Sequence, residues 1–76
     1  MKKLIDCPNG VEIQIAALDG PEASCERLAE LGLTSGTSLT LLKRLSSEGP
    51  FVVQFRGGVL ALRRQEAECL VMNLTA

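Results

Sequence analysis

The chain has 76 residues, nine acidic and eight basic, with a formal net charge of −1 and no histidine. A chain of this length buries only about 60% of the surface that its unfolded form exposes, so we expect one domain, residues 1–76, built around one core. The near-neutral total offers no overall attraction to phosphate backbones or anionic lipid, and an apolar fraction of 46% with only two Phe calls for a core of Leu, Val, Ile and Ala.

Met1-Lys2-Lys3-Leu4-Ile5 begins like a basic leader, but Asp6, Pro8 and Asn9 interrupt it before an apolar stretch forms. No later run approaches the roughly 18 apolar residues of a membrane span. We therefore expect a cytoplasmic chain without direct membrane insertion. Cys7, Cys25 and Cys69 are odd in number, widely spaced and never arranged as C-x-x-C. They read as reduced, semi-buried apolar residues rather than a disulfide framework.

In chain order, a short Lys3-Ile5 segment is expected to pair, through an Asn9-Gly10 turn, with a strand over Val11–Ala17. There Val11, Ile13, Ile15 and Ala17 alternate with Glu12, Gln14 and Ala16. Asp19 or Gly20 is placed to cap a helix with Pro21 in its first turn and Glu22 against the dipole. That helix runs to about Leu31 with Cys25, Leu28, Ala29 and Leu31 as its apolar stripe. Gly32 in the left-handed conformation and Leu33 as hydrophobic contact form a Schellman stop.

Thr34-Ser35-Gly36-Thr37 reads as a type II turn with Gly36 at the position of positive φ. A strand from Ser38 to about Arg44 follows, with Leu39 and Leu41 on one face and Thr40, Leu42 and Arg44 on the other, so Leu42 is expected exposed. Ser46–Pro50 is a solvated loop. Phe51, Val53 and Phe55 alternate with Val52, Gln54 and Arg56, and Gly57-Gly58 turns the chain into Val59–Leu62. Arg64–Cys69 suits a single helical turn, and Leu70–Leu74 a closing strand. About five short strands with one helix and a short helical turn suit a small mainly β barrel, SH3-like or OB-like.

The run Arg27-Leu28-Ala29-Glu30-Leu31-Gly32-Leu33-Thr34-Ser35-Gly36 resembles the R-L-x-x-L-G-[LM]-x-P-G signature of FeoA-like domains. Gly49-Pro50-Phe51, the Gly57-Gly58 pair and Leu60-Ala61-Leu62-Arg63-Arg64-Gln65-Glu66-Ala67 resemble that family's downstream strand and its L-A-L-R-x-x-[ED]-A segment. Ser35 departs from the common Pro, and a type II turn tolerates Ser there. The resemblance spans about Leu4 to Met72. It implies an SH3-like barrel that accompanies a membrane ferrous-iron transporter with a cytoplasmic GTPase domain, acting by protein–protein contact. The same domain type occurs as a module of metal-dependent transcriptional repressors, which leaves a nucleic-acid-associated role as the alternative. A start Met and no helix-turn-helix favour the transport role.

Without His, Tyr or Trp, and without a phosphate-cradling glycine loop, the chain lacks the usual inventory of an enzyme, and we expect neither catalysis nor a cofactor. Glu66, Glu68 and Cys69 are the only close cluster of metal-ligand types, but they read as surface groups on a solvated turn, with Glu66 pairing locally to Arg63 or Arg64, and no metal site is expected. Lys43, Arg44, Arg56, Arg63 and Arg64 fall at the ends of neighbouring predicted strands, where closure of a barrel gathers them into a basic rim. Leu42 and Val52 add an apolar centre to it. Leu42, Lys43, Arg56, Arg63 and Arg64 are therefore the candidate partner-binding residues. Leu31, Gly32, Leu33, Gly36, Gly57, Gly58, Leu62, Glu66 and Ala67 carry the structural motifs. Self-association through an exposed strand edge remains open.

Overall fold

The apolar–polar alternation of the chain resolves into six strands that form one antiparallel sheet. The computed structural model describes residues 2–73. In order these are β1 (Lys2–Lys3), a 3₁₀ turn (Leu4–Asp6), β2 (Glu12–Leu18), α1 (Glu22–Glu30), β3 (Ser38–Arg44), β4 (Phe51–Phe55), β5 (Gly58–Leu62), α2 (Arg64–Ala67) and β6 (Leu70–Asn73). The strands lie in the order β1-β6-β2-β3-β4-β5. Their inward residues, among them Ile13, Ile15, Leu39, Leu41, Phe51, Val53, Leu62, Leu70 and Met72, form one core with Leu4, Leu28 and Leu33. The molecule measures 28 × 26 × 24 Å, so the sheet wraps around this core instead of lying flat.

Two β-bulges produce the wrapping, because an extra residue on one strand bends it and increases its twist. On β2 the register with β6 shifts between Ile15 and Ala17; on β3 the register with β4 shifts between Leu41 and Lys43. Each extra residue reverses the alternation beyond it. Ala17, expected inside, is exposed, and Leu18 packs on the core in its place. Leu42 is the bulged residue and is 40% exposed, as its alternation required.

The same bulge takes Arg44 out of the expected basic rim. Arg44 pairs with the buried Phe51 across the ladder. Its guanidinium reaches the segment before β2, donating to Asn9 Oδ1 at 3.1 Å, to the carbonyl of Ile5 at 3.1 Å and to the carbonyl of Cys7. These bonds hold the 3₁₀ turn against the barrel. The expected hairpin between Lys3–Ile5 and β2 does not form: β1 pairs with β6, Lys2 opposite Met72 and Lys3 opposite Val71. Val11 precedes β2 and is exposed.

The helix begins without a side-chain cap, with Pro21 at the N-cap, so neither Asp19 nor Gly20 takes that role. Its stop is the expected one. Leu33 N–H donates to Leu28 O at 2.9 Å and Gly32 N–H to Ala29 O at 3.0 Å, the paired bonds of a Schellman motif, with Gly32 at φ +92°. The stripe is narrower than the periodicity implied: Leu28 is fully buried, Cys25 and Leu31 half-buried, and Ala29 exposed. Thr37 N–H then donates to Thr34 O at 3.0 Å around Gly36 at φ +94°, closing the type II turn, and Ser35 Oγ donates to Ala16 O at 2.9 Å.

The β4–β5 turn falls one residue earlier than expected. Phe55 pairs with Gly58, and Arg56 and Gly57 are the two turn residues at φ 51° and 77°, as a type I′ hairpin demands. Gly58 opens β5. The expected closing strand is β6, and Leu74 lies outside the described residues.

Glu66 departs most from a surface carboxylate, being 7% exposed. Its Oε1 accepts from the Arg63 N–H at 2.9 Å, capping α2, and its Oε2 accepts from Arg27 Nε on α1 at 2.7 Å. The ion partner is therefore Arg27, not Arg63 or Arg64. One carboxylate clasps the two helices over the end of the barrel.

Two stability predictions follow from these anchors. Glu66→Ala removes the cap on the Arg63 N–H and the tie between α1 and α2, and is expected to cost about 2–3 kcal/mol in urea unfolding. Arg27→Ala, whose side chain is mostly exposed, should cost about 1 kcal/mol or less; equal losses would show that the clasp is not centred on the carboxylate. Arg44→Met strands the carbonyls of Ile5 and Cys7, and is expected to lower Tm by roughly 10 °C, corresponding to about 2 kcal/mol. Arg44→Lys should recover only part of this, because an ammonium cannot fork over several acceptors; an unchanged Tm in Arg44→Met would remove this anchor from the account.

Candidate partner-binding surface

The outer face of β3, β4 and β5 follows from the register. Lys43 lies opposite Val52, Val52 opposite Ala61, and Gln54 opposite Val59. Val52, Gln54, Val59 and Ala61 alternate with core-facing residues and so point away from the core, and the bulge after Leu41 turns Lys43 to the same side. Lys43, Gln54 and Ala61 are exposed, Val52 half-exposed, and Val59 is 59% exposed. With Leu42 they make a mixed surface, apolar in the middle and basic at one margin. Leu42 and Val52 were legible from alternation; Lys43 was chosen as a strand-end base, and it is the bulge after Leu41 that turns it outward. Val59 and Ala61 were not singled out, although the alternation of Val59-Leu60-Ala61-Leu62 carried the signal.

The arginines do not gather into one rim. Arg56 occupies the tip of the β4–β5 hairpin, four residues along β4 from Val52, or about 13 Å of strand. A Cβ at Gly32 would stand 3.2 Å from its Nη1, so the guanidinium lies over the C-terminal end of α1, where a cation complements the helix dipole. Arg63 follows β5 at the opposite end of the hairpin and is exposed. With Arg27 and Glu66 it lines a shallow cleft of about 290 Å³ between α1 and α2. Arg64 is engaged: it contacts Glu68 at 3.2 Å and Glu48 at 3.8 Å, and donates to Ser47 O at 2.5 Å. Among the described residues Lys43, Arg56 and Arg63 have no acidic partner.

Glu66, Glu68 and Cys69 do not converge on a common point. Glu66 is held by Arg27 and the Arg63 amide, Glu68 by Arg64, and Cys69 Sγ donates to Gln65 O at 3.2 Å. Among the described residues no three His, Cys, Asp or Glu side chains are grouped as metal ligands. Cys69 packs closely on Gly20, where a Cβ would come within 2.4 Å of its Sγ. Burial pushes the thiols of Cys7 and Cys69 up, the neighbouring Cys25 adding to the effect at Cys69. Both remain protonated at neutral pH and are poor nucleophiles. All three cysteines are free, and no helix among the described residues is long and apolar enough to cross a membrane.

The family model of the FeoA domain matches residues 2–73. Among solved structures, the FeoA protein of Chlorobium tepidum is 29% identical with a TM-score of 0.84, over 99% of this chain and 71% of that one. The zinc-complexed FeoA of Stenotrophomonas maltophilia is 23% identical with a TM-score of 0.82, over 96% and 91% of the two chains. That protein is described as a prokaryotic SH3 domain protein and a candidate activating factor of ferrous iron transport. The iron(II) transport protein A of Clostridium thermocellum is 22% identical with a TM-score of 0.85, over 96% of this chain and 45% of that one. No curated protein matches in sequence. The bent sheet, the Schellman stop at Gly32 and a match that runs from the first strand to the last agree, and the chain belongs to the FeoA domain family, with its SH3-like fold.

Proposed function

We propose that this chain is a cytoplasmic, non-enzymatic accessory protein of ferrous-iron uptake that binds the GTPase-containing membrane component of a transporter. The observation that carries the reading is the FeoA match over residues 2–73, since this family is associated with iron(II) transport. The chemistry of the chain supports it. The FeoA match covers residues 2–73, the sequence has no histidine, and the buried thiols of Cys7 and Cys69 are held in their unreactive form. Nothing in that inventory activates a nucleophile or moves a proton near neutral pH.

The contact surface is the outward face centred on Leu42 and Lys43, with Arg56 and Arg63 beyond its two ends and Arg64 contributing through the loop that it braces. An interface of this kind combines an apolar centre with basic groups able to meet carboxylates. Nucleic acid is the poorer occupant: Phe51 is buried, Phe55 packs against the core, and the sequence has no Tyr or Trp to stack on a base.

Titration of the ¹⁵N-labelled chain with the soluble GTPase domain of its cognate transporter, in GDP-bound and GTP-analogue-bound forms, tests this reading. The expected result is a set of shifted amides that includes Leu42, Lys43, Arg56 and Arg63. Lys43→Glu should weaken binding by roughly tenfold, chiefly by slowing association and more strongly at low salt. No shift in either nucleotide state would overturn the adaptor role.

A further inference from the structure

The two edges of the sheet are built differently. β1 is two residues long and both are lysines, a short, charged edge of the kind that discourages pairing with other chains. β5 ends the other side of the sheet with Gly58-Val59-Leu60-Ala61-Leu62, five residues without charge or proline. That edge carries no charge, proline or bulge of its own.

Its backbone is also available. The type I′ turn makes Phe55 and Gly58 a hydrogen-bonded pair, so the bonded pairs continue at Val53–Leu60 and Phe51–Leu62. The N–H and C=O groups of Val59 and Ala61 therefore point away from β4. Among the described residues no other group bonds them. Their side chains are exposed on the outer face, while Leu60 and Leu62 turn toward the core.

Charge identifies the occupant. From Gly49 to Gln65 the sequence contains three arginines and no Asp or Glu. Arg56, whose guanidinium rests over the C-terminal end of α1, stands at one end of β5, and Arg63, beside the cleft between the helices, at the other; both are exposed and neither is paired with an acid among the described residues. A strand of five residues spans about 17 Å, so the edge presents a cation at each end of an uncharged apolar stretch. A second copy of this chain fits poorly. Pairing β5 with β5 sets Arg56 beside Arg63 of the other copy when antiparallel, and like arginines together when parallel, which is unfavourable either way.

We infer that β5 is a docking edge that accepts, as an added strand, an extended segment of a partner protein bearing carboxylates at both ends of a short uncharged stretch. Main-chain bonds to Val59 and Ala61 supply the pairing, and Arg56 and Arg63 select for acid and set the register. This rests on the reading of the chain as a binding module, and it names the chemistry that the partner presents.

The test uses the full ¹⁵N-labelled chain and a nine-residue peptide with two Glu at each end of an alternating Val/Thr centre; its control carries Lys in place of Glu. The Glu peptide is expected to shift the Val59 and Ala61 amides and to slow their hydrogen exchange at least tenfold, and the Lys peptide to do neither. Arg63→Glu keeps the backbone N–H that Glu66 caps and should weaken binding at least tenfold. Arg56→Asn, which still suits a left-handed turn position, should weaken it severalfold. Ala61→Pro removes an outward donor from an edge strand, where proline is tolerated, and should abolish protection while the remaining spectrum is kept. Equal binding of the two peptides, unchanged exchange at Val59 and Ala61, or protection of both amides by self-association before any peptide is added would overturn the inference. A transporter GTPase domain that binds Ala61→Pro and Arg63→Glu as tightly as the parent chain would overturn it too, and would leave the adaptor role standing.

Discussion

A six-stranded sheet encloses a core only by bending, and here the bends fall at two single extra residues, Ala16 and Leu42. Each bulge lets its strand present two core residues at spacing two and a half-buried residue at spacing three: Ile13, Ile15 and then Leu18 on β2, and Leu39, Leu41 and then Arg44 on β3. A flat strand with strict alternation would turn Leu18 to solvent and Arg44 away from the segment it holds. The bulges therefore decide both how the sheet curls and which side chains reach its interior.

The third inward residue differs between the two strands, and that difference organises the polar part of the fold. Leu18 adds apolar surface to the core. Arg44 brings a guanidinium to a place where the 3₁₀ turn and the residues after it leave carbonyls in need of donors. In α2, which packs against that same 3₁₀ turn, Glu66 does the reciprocal task, presenting a carboxylate to the orphan amide that begins the helix and to a guanidinium on α1. A domain with so small a core gains much from such anchors, because each replaces several weak constraints on short connecting segments by one group that fixes them together.

The parts of the fold that depend on local chemistry were legible in the sequence. The Gly32 stop, the Gly36 turn, the loop over Ser46–Pro50 and the β4–β5 hairpin rest on residues within a few positions of one another. Apart from the N-cap of α1, where Pro21 stands in place of Asp19 or Gly20, the misreadings share a cause: they require knowledge of what lies across the chain. β1 looked like a partner of β2 because a tight turn stood between them, yet it pairs with β6, some seventy residues away in sequence. Glu66 looked like a surface acid because its partner, Arg27, is 39 residues earlier. The hairpin turn was displaced by one residue because Gly57-Gly58 offered two glycines, while the ladder places the second in β5 and leaves Arg56 to take positive φ. The candidate site suffered most. Its five residues were chosen as strand-end bases around an apolar centre, and only the register shows Arg56 and Arg63 at opposite ends of β5.

What the fold leaves over indicates how the protein meets others. Arg44, Arg64, Arg27 and Glu66 are committed to internal contacts, and the buried thiols are committed to packing. Among the described residues, Lys43, Arg56 and Arg63 pair with no acid, although Arg56 also rests over the end of α1, and Leu42, Val59 and the outward backbone of β5 are left exposed with them. All of them suit recognition, the apolar and backbone groups by exclusion of water and strand pairing, the bases by selecting carboxylates. They also lie on one hairpin and the strand beside it, whereas the helices and β1 close the other parts of the sheet. A partner that approaches along β5 would therefore meet the one margin of the barrel where apolar surface, unpaired backbone and uncompensated positive charge coincide.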